Sequence, residues 1–159
     1  MAYADGPDDD QVKRGAPPLD QCSLAATVDL VGDRWSLLII RSALYGVTRF
    51  DELHSGLGMP RTVLSKRLKN LVDGGLMRRR PYKEAGQRTR HQYVLTTKGI
   101  DLALPLIALM QWGEKHLAQT TPNAGVFERG KPNAPALKVG LVSDDGRPVE
   151  LRDAQLLAR

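Results

Sequence analysis

The chain has 159 residues, a length that fits one compact domain with tails. It carries 23 Lys and Arg against 18 Asp and Glu, for a formal net charge of +5, a balance that fits a nucleic-acid binder without requiring one. The single cysteine excludes an intramolecular disulfide framework, and no apolar run is long enough to span a bilayer.

The charge is unevenly spread. Residues 1–21 hold 2 basic and 5 acidic side chains, net −3. Residues 22–119 hold 15 and 8, net +7, and residues 120–159 hold 6 and 5, net +1. The first segment contains Asp8-Asp9-Asp10 and Pro17-Pro18 with few apolar residues, and reads as a flexible acidic arm. It has no secretory-signal pattern, so a cytoplasmic location is expected.

Ser23 to Val31 predicts a short helix, Gly32-Asp33 a turn, and Asp33 the cap of a helix running through Trp35, Leu38, Ile39 and Leu44 to Gly46. Thr48 to Leu57 forms a further amphipathic segment, with Phe50, Leu53 and Leu57 as its apolar stripe. Thr48 followed by Asp51 resembles a capping box, with Asp in place of the usual Glu or Gln. Gly58 suits a left-handed helix end, and Pro60 opens the next helix, where its missing N–H costs little.

That next helix, Arg61-Thr-Val-Leu-Ser-Lys-Arg-Leu-Lys-Asn-Leu-Val72, has two incompatible faces. Leu64, Leu68, Leu71 and Val72 recur at core spacing. Thr62, Ser65, Lys66 and Lys69 fall on the opposite side, with Asn70 at its edge and Asp73 as the one nearby carboxylate. A basic outer face is usually just solvated. Here a second short helix and a Gly-containing turn precede it, which is the order of a helix-turn-helix, and a helix polar in front and held from behind suits the major groove of DNA.

After Gly74-Gly75 the pattern changes. Leu76–Lys83 and His91–Leu95 read as two strands around the polar connector Glu84–Arg90, a hairpin whose tip is cationic through Lys83, Arg88 and Arg90. Such a wing would lie along the sugar-phosphate backbone or reach a minor groove. Arg78-Arg79-Arg80 alternate in direction along a strand, so one or two are expected to meet phosphate and the rest to be solvated. Thr96 or Thr97 then caps one long helix to about Leu117, kinked at Pro105. Its Ile100, Leu102, Leu104, Leu106, Ile107, Leu109, Met110 and Trp112 exceed one buried stripe, so one side is expected to pack on the domain and the other on a partner subunit. Residues 120–135 read as linker, and Leu137–Val142 with Arg147–Leu151 as a small hairpin around Asp145-Gly146, to which no chemistry is assigned.

Residues 22 to about 117 resemble the HxlR family of bacterial winged-helix regulators, which are often called MarR-like. The matching stretches are Cys22, Gly32-Asp-Arg-Trp-Ser-Leu-Leu-Ile-Ile-Arg41, Arg49-Phe-Asp-Glu-Leu53, Leu64-Ser-Lys-Arg-Leu68, Gly75-Leu76, Tyr93-Val-Leu-Thr96 with Gly99, and Trp112-Gly113. They occur in order over roughly three-fifths of the chain; no single one would be specific. The resemblance implies a mainly α (α+β) winged helix-turn-helix domain over 22–119, with a two-stranded wing and a long C-terminal dimerisation helix. It implies a homodimer joined by the first and last helices, with Leu24, Leu106, Leu109, Met110 and Trp112 at the interface, on an inverted-repeat operator in double-stranded DNA, as a repressor. Carried over, Arg61, Thr62, Ser65, Lys66 and Lys69 would face the major groove, and Lys83, Arg88 and Arg90 would sit on the wing. Many relatives open the recognition helix with Ser or another capping residue, whereas this chain has Met59-Pro60.

Some members of the family sense oxidants, thiol-reactive electrophiles or small aromatic molecules, which makes Cys22 the candidate redox sensor and a small-molecule effector an expected partner. Cys22 precedes a helix start, where the dipole favours thiolate. Against that, Asp20 is close and no Lys or Arg is adjacent, and a lone cysteine there is often simply small and partly buried. His54, His91 and His116 match no metal spacing, and no cofactor loop, zinc ribbon or hydrolase motif is present in the sequence, so neither metal nor cofactor is expected. Trp35 and Trp112 read as core or interface residues, with a ligand wall as the minority reading. Two other functions compete with DNA binding: a winged-helix protein-interaction module, and an enzyme with Cys22 as nucleophile, for which the sequence supplies no adjacent base.

Overall fold

The computed structural model describes residues 18–117, 126 and 135–154. The described residues of 27–139 form one compact unit, and those of 1–26 and 140–159 form another.

A 3-10 turn at Leu19–Gln21 leads to α1 (Ser23–Val31), α2 (Arg34–Leu44), α3 (Phe50–Leu57) and α4 (Arg61–Asp73). Strands β1 (Met77–Tyr82) and β2 (Arg90–Leu95) come next, then α5 (Thr97–Ile100) and α6 (Ala103–His116). In the second unit, β3 (Leu141–Val142) pairs antiparallel with β4 (Pro148–Val149), a shorter version of the hairpin expected around Asp145-Gly146. The predicted linker lies mostly outside the described residues, as does most of the acidic arm.

The core of the larger unit is built by helical periodicity. Ile39 and Ile40 of α2, Leu53 of α3, Leu64, Leu68 and Leu71 of α4, and Leu106 of α6 are buried together with Met59, Leu76 and Met77. Each fully buried Leu of this kind contributes about 1.5–3 kcal/mol relative to exposure. Asp33 caps α2 as expected: its Oδ1 accepts from the N–H groups of Trp35 (3.0 Å) and Ser36 (3.2 Å). Gly58 ends α3 at φ 61°, where its N–H reaches the His54 carbonyl, and the chain then turns into α4, which packs on α2.

Two local expectations fail for identifiable reasons. Thr48 does not cap α3, which is preceded by Arg49 without a side-chain cap. The Thr48 hydroxyl donates to Gln92 Oε1 and its carbonyl accepts from the Tyr93 N–H, while Arg49 forms a β-bridge to Gln92. Pairing with the wing takes Thr48 away from the helix. The long C-terminal helix is likewise two helices, broken at Asp101-Leu102. Pro105 has no N–H for the Asp101 carbonyl, and its ring would clash with that group in a continuous helix. With α6 starting at Ala103, Pro105 falls in the first turn, where no N–H is needed, and the kink expected there becomes a break upstream.

The wing is joined tightly to α5. Thr96 caps that helix by accepting from the Gly99 N–H, and its hydroxyl donates to the Gly75 carbonyl at 2.7 Å. Gly99 is buried so close to the start of β1 that a Cβ there would lie 2.1 Å from the Leu76 carbonyl oxygen.

Candidate nucleic-acid interface

The structure separates the two faces of α4 cleanly. Leu64, Leu68 and Leu71 are fully buried, whereas Arg61, Thr62, Ser65, Lys66, Lys69 and Asn70 are all exposed. Thr62, Ser65 and Lys66 make no side-chain hydrogen bond or ion pair with another described residue. Lys69 pairs with Asp73 one turn on. Arg61 Nη2 lies 2.8 Å from Asp51 Oδ1, with its guanidinium 5.4 Å from the centre of the Phe50 ring.

The hairpin pairs β1 with β2 from Met77↔Leu95 to Tyr82↔Arg90. Lys83 and Arg88 sit in and beside the exposed connector, with no carboxylate partner among the described residues. Arg90 opens β2 and lies 3.8 Å from Asp51 Oδ2. Arg78 and Arg80 are exposed without a carboxylate partner among the described residues, and Arg79 meets His91 Nδ1 at 3.1 Å. Helix α4 and the wing therefore present cations on two neighbouring elements.

Three residues of this interface escaped the sequence reading. Arg49 stacks 4.7 Å over Tyr82 and pairs with Glu84 at 2.8 Å, so it fastens the wing to the entry of α3. Arg67, on the flank of α4, lies 3.2 Å from Asp33 Oδ1 without hydrogen-bond alignment, and links α4 to the capped end of α2. Asp51 adds a second carboxylate beside the cationic face, where the sequence pointed to Asp73 alone. Burial pushes the Asp33 carboxyl up. The hydroxyl and N–H of Ser36, the Arg67 guanidinium and the Trp35 N–H outweigh it and hold the pKa below the ordinary carboxylate value.

The residues expected between subunits are divided. Leu24, Leu109 and Trp112 are exposed, Met110 is half-buried, and Leu106 points into the core of its own chain. Val28 and Leu104 add to the exposed apolar side chains of α1 and α6. Trp112 packs against His116, with ring centres 5.2 Å apart. Cys22 is half-buried immediately before α1, and its carbonyl accepts the Ala26 N–H. Among the described residues, no group of three or more His, Cys, Asp and Glu could hold a metal ion. No helix there is long and apolar enough to cross a membrane.

The sequence profile described as HxlR-like helix-turn-helix matches residues 30–121. The chain belongs to the HxlR-like family. An uncharacterised HTH-type transcriptional regulator of Mycobacterium tuberculosis is 47% identical over 95 residues, which cover 60% of this chain and 59% of that protein. The crystal structure of PA1607, a candidate transcription factor, superposes with a TM-score of 0.72 at 36% identity, covering 86% of this chain and 94% of the other. The reduced form of the regulator YodB of Bacillus subtilis gives a TM-score of 0.53 at 25% identity, over 63% of this chain and 98% of that one. The fold is therefore the winged helix-turn-helix of HxlR-like proteins, with α3 and α4 as the helix-turn-helix and β1–β2 as the wing. By name these relatives are transcriptional regulators, not enzymes.

Proposed function

We propose that this HxlR-like protein is a cytoplasmic, homodimeric repressor that binds an inverted-repeat operator in double-stranded DNA. The observation that carries this reading is α4: three leucines hold it from behind while Thr62, Ser65 and Lys66 stand exposed in front without internal partners, beside a cationic wing. Hydroxyl and ammonium groups on such a face read base edges, whereas Lys83 and Arg88 supply sequence-independent phosphate contacts. Residues 22–119 act as the DNA-binding and dimerisation domain, with 1–21 as an arm and 120–159 as a tail. The exposed Leu24 and Val28 of α1 and Leu104, Leu109 and Trp112 of α6 support self-association, which would remove this apolar surface from water. Two α4 helices related by a two-fold axis would read half-sites about 34 Å apart.

Oxidants or thiol-reactive electrophiles are the effector class in this reading. The half-buried place of Cys22 before α1 supports it, as does the relation to YodB, a regulator known in a reduced form. With one cysteine, any disulfide would join two subunits or capture a small thiol.

Selection of genomic fragments by the purified protein at near-physiological salt tests the reading. Enrichment of a short inverted repeat, lost with diamide in wild type but retained in Cys22→Ser, is the expected result. Binding without sequence preference would point instead to a protein-interaction role, and an equal diamide response in Cys22→Ser would remove the sensor.

A further inference from the structure

Arg61 and Arg90 come from different elements, the first residue of α4 and the first residue of β2, yet both approach one carboxylate on a third. Asp51 in the first turn of α3 places Oδ1 2.8 Å from Arg61 Nη2 and Oδ2 3.8 Å from Arg90 Nη1. The three side chains are 55–61% exposed, so the pairs are weakly held and open to exchange with solvent ions. A carboxylate flanked by two guanidinium groups carries negative charge and a pair of acceptor oxygens where a phosphate could present the same. No other carboxylate among the described residues lies within ion-pair distance of either arginine.

We propose that Asp51 is an intramolecular stand-in for a DNA phosphate. In the free protein it occupies a subsite formed by Arg61 and Arg90 at the junction of recognition helix and wing. On binding, a backbone phosphate takes its place, and Asp51 is left as a like charge beside it. The residue thus weakens attraction to every duplex and keeps two arginines from gripping DNA indiscriminately. This inference rests on the DNA-binding reading above.

The test is fluorescence anisotropy with the selected operator duplex and a scrambled duplex across a sodium chloride series. Wild type is compared with Asp51→Asn, Asp51→Glu, Arg61→Ala/Arg90→Ala and the triple variant carrying Asp51→Asn in that last background. Asp51→Asn should tighten binding to both duplexes about three- to tenfold at low salt, and should steepen the slope of log affinity against log salt by up to about 0.9, because in wild type the displaced carboxylate takes up a cation that offsets one released from the DNA. Asp51→Glu should keep wild-type behaviour. In the absence of both arginines, Asp51→Asn should change affinity less than about twofold.

An unchanged or weakened Asp51→Asn protein with a wild-type melting temperature would overturn the inference. So would the same gain without the arginines, which would reduce Asp51 to general repulsion. Wild-type protein that binds neither duplex would overturn the DNA-binding reading and this inference together, whereas firm wild-type binding with no Asp51 effect would remove this inference alone.

Discussion

Arg67 of α4 lies 3.2 Å from the Oδ1 atom of Asp33, the same oxygen that caps α2. One carboxylate thus terminates one helix and tethers another. Asp33→Ala should cost about 0.5–2 kcal/mol from the lost cap, with a further loss because the largely occluded Arg67 is left without its partner. Urea unfolding of Asp33→Ala and Arg67→Ala should give non-additive losses.

The same carboxylate predicts an acid dependence. Its folded pKa lies below the unfolded value, so the stability it confers is complete above the ordinary aspartate pKa of about 4 and is lost as pH falls through the lower folded value. Asp33→Asn keeps a capping oxygen but cannot titrate. Its urea midpoint should fall less steeply than that of wild type below about pH 4. Parallel profiles for the two proteins would contradict the assignment.

Gly99→Ala should destabilise by at least about 1–3 kcal/mol, because the added methyl meets the Leu76 carbonyl and not a yielding side chain. The loss should appear in thermal unfolding, and hydrogen exchange should show it concentrated in the wing, which this contact fixes against α5.

The two faces of α4 should separate stability from binding. Leu68→Ala should cost about 2–5 kcal/mol of folding stability. Lys66→Ala should leave stability within about 0.5 kcal/mol of wild type yet cost about 1–3 kcal/mol at particular base pairs. Lys83→Ala or Arg88→Ala should weaken binding to all sequences and flatten the salt slope by about 0.9 each. Equal losses on every duplex for helix and wing variants alike would refute this division.

Leu109 and Trp112 are each 57% exposed on α6. A Leu109→Ala/Trp112→Ala protein should shift from dimer to monomer by light scattering while keeping its circular dichroism spectrum. A wild type that is already monomeric at micromolar concentration would contradict the dimer.

Most of this architecture is legible in the residues because burial obeys period. The α4 pattern marks Leu64, Leu68 and Leu71 for the core from spacing alone, and the Asp33 cap and Gly58 stop place two helix ends. Failures come where distant pairing overrides a local signal. Thr48 has the residue type of a cap, but the strand contact with Gln92 and Tyr93 claims it. Asp51 reads locally as an acid suited to a helix N-terminus. Only folding shows that α4 and β2 bring two arginines to it. The break before α6 is half-visible: Pro105 announces a disruption, and the missing partner for the Asp101 carbonyl decides on which side of it the helix ends.

The hairpin also has a consequence for handling the protein. Bridging by Arg49 covers the outer side of β2 at Gln92, which leaves β1 as the free edge among the described residues. An uncovered strand edge invites a strand from another molecule to add to it. Here that edge carries Arg78, Arg79 and Arg80 in succession and then Pro81, which offers no N–H to an incoming strand. Two approaching copies would bring like charges together at Arg78, Arg79 and Arg80. Neutralising these arginines should therefore make concentrated stocks precipitate even where the fold survives.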